Sequence, residues 1–414
     1  MKTGINNNFH LTYCTNIHPG EEWSQVFANL KHYIPDLKAR LAPEKPFGIG
    51  LRLADVASRE LLASGLANFK SWLAELDLYV FTLNGFPYGG FHQQVVKDQV
   101  YAPDWSEQRR LKYSLRLLNI LAELLPSEME GSISTLPLSY KPWFKGNQLF
   151  QTSVQESATH HITQLVAEMA RIRNETGLLL HLNLEPEPDG LIENAAEVID
   201  YFQTHLLPKG GSYLASHLGI PLEAAEVLLL NHVRICYDTC HFAVEYEDPA
   251  LVFQQFQAVG IQIGKIQISA ALQVNIPTDI NQRRQVKERL RPFAESTYLH
   301  QVIARDPNGH LHHYPDLETA LPKLETTTET QWRIHFHVPI FIHDYQLLHS
   351  TQDDIVTVLK LIQNNNICNH LEIETYTWEV LPQQMKMDLS TSIEREYEWV
   401  LKHLYARSLH PTTV

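Results

Sequence analysis

The densest chemistry in the sequence is Tyr237-Asp238-Thr239-Cys240-His241, where an apolar run, Val233 to Cys236, ends in a carboxylate and an imidazole three residues apart. A buried strand that stops at such a pair is placed to hold a divalent cation at the mouth of a barrel. A second apolar run, Leu178 to Leu184, ends in Glu185-Pro186-Glu187-Pro188, and the prolines stiffen the loop that carries the acids. A third, Leu371-Glu372-Ile373-Glu374-Thr375, alternates acid with aliphatic, so that one acid can point inward while its neighbour faces elsewhere. Carboxylates converging on one axis repel unless a cation or protons lie among them, so the three runs together predict one acidic metal pocket. Oxygen-rich ligation favours Mn²⁺ or Mg²⁺, whereas adding His241 and His337 moves the balance toward Zn²⁺ or Fe²⁺. Each residue also has a plain structural reading: Glu185 as a surface or capping acid, Asp238 as the N-cap of the next turn, Gln267 as a core amide bonded to backbone.

The elements that must position these residues are short β-rich runs alternating with helical patterns. Strands are expected at His10 to Thr15, Phe47 to Leu53, Leu78 to Leu83, Ser132 to Leu138, Leu178 to Leu184, Val233 to Tyr237, Gly264 to Ser269 and His370 to Thr375. Eight such runs separated by helices predict an α/β fold, a (β/α)8 TIM barrel with loop insertions. A ninth run, Trp332 to Ile342, exceeds that count, either as an extra strand between the seventh and eighth or as the true eighth strand if the first run is not one, and carries His335 and His337 on one strand face. Helices with apolar spacings of three and four, as in Leu61, Leu62, Leu66, Phe69, Trp72 and Leu73, form the outer ring, and the last helix is expected to begin at the capping-box pattern Thr391-Ser392-Ile393-Glu394. Nothing reads as an interdomain linker, so residues 1–414 are taken as one decorated domain. Two insertions stand out. Phe86 to Trp105, rich in glycine and aromatics, reads as an active-site loop. Residues 270–331 hold the turn Asp306-Pro307-Asn308-Gly309 between apolar runs, a hairpin cap over the barrel mouth.

Composition bounds the function. Among 414 residues, 33 basic side chains face 47 acidic ones, and the formal charge of −14 argues against a nucleic-acid partner and against docking on an anionic membrane. The basic run Arg283 to Arg291 reads as a solvated helix face, with attraction of an anionic substrate as the alternative. Cys14, Cys236, Cys240 and Cys368 lack zinc-finger or CxxC spacing and read as small packing residues in a reduced, cytoplasmic protein. Residues 1–8 lack a secretion signal's apolar core, and no apolar run reaches the roughly 18 residues of a membrane helix, so no direct membrane insertion is expected. The motifs GxGxxG, GxSxG, HExxH and the Walker loop are all missing, which removes the common nucleotide, serine-hydrolase and zincin readings.

Glu185, the Asp238 to His241 box and Glu374 resemble the xylose-isomerase-like barrel superfamily of sugar isomerases, epimerases and a DNA-repair endonuclease. More closely, Leu11 to Gly20, Thr82 to His92, Tyr237 to His241 and His370 to Tyr376 resemble the EboE metabolite-traffic family, the Asn84 to His92 loop being the most specific piece. That resemblance implies an operon of metabolite biosynthesis and export, with the other proteins of the operon and a small-molecule substrate as partners. Carried over by position, the ketose-epimerase pattern implies a divalent ion, Mn or Zn, held by Glu185, Asp238, Gln267 and Glu374, with His241 at the substrate; acids on two separate strand ends further suggest Glu185 and Glu374 as the catalytic pair that shuttles a proton at carbon. The third ligand in that pattern is usually a histidine, and Gln267 stands there; His337 would supply the lost imidazole. The substrate-gripping arginine is missing too, with Gln273 nearest, and Asn84, His92 and Glu187 complete the expected substrate contacts. The implied activity is that of a metal-dependent isomerase or epimerase acting on a polyhydroxylated small molecule or secondary-metabolite precursor. The alternative is a metabolite-binding or scaffold protein that keeps the pocket without the reaction.

Overall fold

The eight apolar runs become parallel strands: Phe9–Tyr13, Phe47–Arg52, Leu78–Asn84, Gly131–Thr135, Leu180–Leu184, Val233–Asp238, Ile263–Ile268 and His370–Ile373. In the computed structural model, which describes residues 1–4, 8–92, 94–383, 386 and 388–405, each strand from the second to the seventh pairs with the next, and the last lies between the seventh and the first. Lys2–Thr3 adds a short antiparallel edge on the first strand, making nine strands in the sheet. Between the first and second strands the ladder shrinks to one bridge, Cys14 to Gly50. A side chain spans the seam instead: Gly50 N donates to Thr12 Oγ1 at 2.8 Å, and that hydroxyl lies 3.0 Å from Gly48 O. This is an α/β TIM barrel.

Inward-facing positions of a small barrel must be filled by side chains. Here many are polar, so each needs a partner. Ser132 Oγ donates to Thr82 Oγ1 at 2.7 Å and lies 2.9 Å from His370 Nδ1. Lys265 Nζ, fully buried, pairs with the equally buried Glu372 and lies 3.2 Å from Ser134 Oγ. Outer helices cover the aliphatic side. In Gln108–Leu124 the buried Leu111, Leu117, Leu118, Leu121 and Leu124 recur at helical spacing toward the strands. The last helix spans Leu389–Tyr405 and starts before the expected box, because Asp388 Oδ2 accepts from Thr391 N at 3.0 Å and also from the Thr391 hydroxyl. Among the described residues no single helix is long and apolar enough to cross a membrane.

After Ser269 the chain leaves the seventh barrel strand directly into Ala270–Asn275, part of a second, six-stranded antiparallel sheet. Its spatial order is Leu311–Tyr314, Val302–Arg305, Gln331–Val338, Ala270–Asn275, Leu348–Ser350 and Asp344–Tyr345. The ninth run belongs here, and Val302–Arg305 pairs with Leu311–Tyr314 as a hairpin. Gln331–Val338 carries a bulge: Ile334 faces Leu272 and Val338 faces Ala270, so residues 335–337 stand opposite Ala271 alone. Bulges bend a strand and re-aim its side chains. This one carries His335 and His337.

Candidate functional site

A pocket opens at the carboxyl ends of the barrel strands, lined at its floor by Asn16, Asn84, Glu185, Glu187, His241, His335 and Glu374. Its walls are mainly apolar and aromatic, with Phe86, Phe91, Val96 and Val100 from the loop after Asn84 and Tyr298, Leu299 and Tyr376 from the other side. The cation at the rim, Lys97, is already paired with Asp316 at 2.7 Å.

Glu374 sits among amide donors. Asn16 Nδ2 donates to its Oε1 at 2.8 Å, Asn84 Nδ2 to the same oxygen at 3.0 Å, and Gln267 Nε2 to Oε2. Gln267 Nε2 also lies 3.4 Å from Asp238 Oδ2, while its oxygen accepts from the Cys236 thiol at 2.8 Å. The amide nitrogen of Gln267, rather than its oxygen, thus faces the carboxylates. With the oxygen turned inward, the amide would need a cation between itself and two acids. Asp238 Oδ1 is held by Ser269 Oγ at 2.5 Å and by the backbone of Cys240 and His241 at 2.8 and 3.2 Å, so it does cap the next helical turn, and its other oxygen stays toward the pocket floor. Glu185 Oε1 lies 3.9 Å from His241 Nδ1, and its Oε2 has no hydrogen-bond partner although buried.

Burial, with the charges of Glu374 and Asp238, holds the Glu185 carboxyl well above its ordinary range; burial, Asp238 and Glu372 do the same to Glu374. Burial lifts Glu187 to about 8, opposed by a hydrogen bond with Tyr101. Burial and the neighbouring rings push His241 and His335 well below the usual imidazole value, and burial lowers His337 as well. Burial thus works against charge on Glu185, Glu187 and Glu374 and on the three imidazoles alike.

The expected residues fall into three groups. Asn84, Glu185, Glu187, Asp238, His241, Gln267, His337 and Glu374 come together at the floor. His92 stands one layer back, its Nε2 bonded to Asn16 O and its Nδ1 3.4 Å from the Tyr298 hydroxyl. Gln273 does not reach the pocket. After Ser269 the strand has joined the second sheet, where residue 273 pairs with Arg333 and His349 and lines a separate surface hollow. Glu372, on the last strand, and Glu374, just past its end, both point at the barrel axis, Glu372 one layer deeper with Lys265. His335 and His337 likewise share a face, and both join the floor cluster. Sequence reasoning passed over Asn16 and Gln301. Asn16 lies inside the Leu11 to Gly20 motif, which was the available signal; Gln301, which meets His335, had none.

No family model and no curated protein matches the sequence. Solved structures do. A xylose isomerase-like TIM barrel protein from Mycobacterium smegmatis, in complex with magnesium, aligns over 96% of this chain and 96% of its own at 10% identity, with a TM-score of 0.50. An IOLI protein with a bound zinc atom covers 96% of this chain and 100% of its own at 10% identity, TM-score 0.47. D-psicose 3-epimerase in the presence of D-fructose covers 95% and 97% at 13% identity, TM-score 0.43. The fold is that of the xylose isomerase-like TIM barrels.

Proposed function

We propose that the protein is a metal-dependent isomerase or epimerase, or a lyase using the same proton chemistry, that acts on a polyhydroxylated small molecule or a secondary-metabolite precursor. The observation that carries this reading is the meeting of Glu185, Asp238 and Glu374, from three separate strand ends, beside the imidazoles of His241 and His337. The donor set fits a divalent cation: Glu185 Oε2 and His337 Nε2 are buried without hydrogen-bond partners, and ligand atoms of Asp238, His241 and His337 lie within 4.8 Å of one another. A cation held by Asp238, His241 and His337 would supply positive charge that lowers the cost of an enediolate-like substrate anion.

Glu185 and Glu374 act on the carbon-bound proton. Burial and neighbouring carboxylates raise both, and the amide donors of Asn16, Asn84 and Gln267 select Glu374 as the first anion. Glu374 is then the base and Glu185 the acid that returns the proton. Asn84 and Glu187 meet substrate hydroxyls, and the aromatic walls take an apolar substituent, as a metabolite precursor carries and a simple sugar phosphate does not. The Asn84 to His92 loop supports membership of the EboE metabolite-traffic family, with the other proteins of such an operon as partners.

The test is incubation in D₂O with a panel of polyhydroxylated ketones. Exchange of a carbon-bound hydrogen is expected, and Glu185→Gln or Glu374→Gln should each slow it by about 100-fold or more without loss of fold. Exchange untouched by either change would remove the proposed chemistry. One observation favours a second reading, a metabolite-binding protein: Glu374 already has amide donors on both oxygens. Under that reading panel members bind and no deuterium enters.

A further inference from the structure

Three imidazoles meet where the second sheet covers the barrel mouth. His241 comes from the turn after Asp238, and His335 and His337 from the bulge of Gln331–Val338. Their ring centroids stand 4.6, 5.6 and 5.5 Å apart in pairs. Each Nδ1 is committed to an oxygen that only accepts: His241 to Pro186 O at 3.2 Å, His335 to Gln301 Oε1 at 2.9 Å, His337 to Glu374 O at 2.7 Å. Nδ1 therefore carries the proton in all three rings, and every Nε2 is a lone pair. Gln301 is itself held, its Nε2 donating to Pro188 O at 3.1 Å. The Nε2 atoms of His335 and His337 are buried and have no hydrogen-bond partner, and His241 Nε2 has carboxylate oxygens of Glu187 and Asp238 each 3.9 Å away.

Buried lone pairs without a donor are unfavourable unless a cation meets them. Ligand atoms of Glu187, His241 and His335 fall within 4.8 Å of one another, as do those of Asp238, His241 and His337. The two triads share His241. Histidines whose far nitrogen is fixed by a carbonyl are the usual form of metal-ligating imidazoles. We propose that His241, His335 and His337 are the nitrogen ligands of a transition-metal ion, completed by Asp238 or Glu187, at a site shifted from the four barrel strand ends toward the second sheet. Three imidazoles and a carboxylate select Zn²⁺ or Fe²⁺ over Mg²⁺. The shift follows from Gln267: its amide nitrogen occupies the space between Glu374 and Asp238 where an oxygen-ligated ion would sit. This inference rests on the metal-dependent reading above, leaves Glu185 to its proton chemistry outside the ligand set, and adds His335, which the barrel strands alone would not supply.

The test uses the full chain, stripped of metal with a chelator and titrated with Co²⁺ and Zn²⁺. One ion per chain is expected, with a Co²⁺ ligand-field spectrum of low symmetry and an X-ray absorption pattern dominated by imidazole. His335→Gln and His337→Gln should each weaken binding by about 100-fold or more, since even outer-shell changes cost 10–100-fold. Glu185→Gln and Gln267→Leu should leave the affinity within a few-fold. The thermal midpoint of each metal-free variant, compared with metal-free wild type, separates lost ligation from lost fold. If Glu185→Gln abolishes binding while the histidine variants keep it, the three-histidine site is refuted and the metal-dependent function survives. If wild type takes up no ion, both fall.

Discussion

Glu372→Gln tests the electrostatic floor beneath the site. Lys265 and Glu372 are both fully buried in the barrel interior, paired with each other, and the other hydrogen-bonding group at the ammonium is Ser134 Oγ at 3.2 Å. Burial alone would pull the Lys265 ammonium down, yet Glu372 and the surrounding thiols hold it above its ordinary value. Removing the carboxylate charge leaves a buried cation without its partner. Unit charges about 3 Å apart at an effective dielectric of 20 attract by about 5 kcal/mol, and breaking buried pairs costs about 3–5 kcal/mol. An unfolding entropy of roughly 2.1 cal/mol/K per residue over this chain makes each kcal/mol worth about 1 °C, so the midpoint should fall by about 3–6 °C. Urea unfolding followed by far-UV circular dichroism, with thermal scans at one fixed rate, measures both quantities. The double change Lys265→Met, Glu372→Leu removes both charges and should be less damaging than Glu372→Gln alone, because no ion is left unpaired. A loss below about 1 kcal/mol for Glu372→Gln, or a double variant worse than the single, would refute a dry, paired floor.

Gly50→Ala would place a Cβ 1.8 Å from Glu372 Oε1 and 2.8 Å from Tyr13 O, with backbone on one side unable to yield; a loss of at least about 1–3 kcal/mol is expected in the same urea assay. Gln301→Leu frees the Nδ1 edge of His335 and should weaken Zn²⁺ binding by about 10–100-fold in calorimetric titration, with the fold retained. Burial raises Glu396 to about 8, although Thr375 Oγ1 and Ile340 N donate to it at 2.7 and 3.3 Å. Its folded value lies above its unfolded one, so its contribution to stability is full below about pH 4.5 and is lost as pH rises toward 8, by an amount on the order of 4 kcal/mol. Glu396→Gln should flatten the fall of stability between pH 5 and 8 relative to wild type; equal slopes in the two proteins would refute the assignment.

The barrel was legible because its strands are buried on both sides and read as short continuous apolar runs, and because an acid at each of three run ends interrupts that pattern. The second sheet was half legible. Its hairpin showed in Asp306 to Gly309, but the departure of the chain at Ser269 leaves no compositional mark, which is why Gln273 was expected at the substrate and lies instead beside Arg333 and His349. A bulge is a matter of register between two strands distant in sequence, so His335-Phe336-His337 announces a shared face and not where that face points. The pairing of Lys265 with Glu372 was hidden for the same reason: a buried lysine is intelligible only once its partner's strand is adjacent.

Gln267 connects these features. In a ring of buried acids, an uncharged amide that donates to two of them performs part of the neutralisation that a cation would, and Lys265 below contributes the rest by lowering the cost of charge on Glu185 and Glu374. An ion at the strand ends is then less needed, while the histidines above have lone pairs and no donors to meet them. Replacing Gln267 with His would restore an imidazole among the barrel acids and remove the amide donor to Glu374. If the three-histidine site is correct, Gln267→His should create a second, weaker binding step in the Zn²⁺ titration without displacing the first. A single tighter step, insensitive to His335→Gln, would instead place the ion among the strand-end acids.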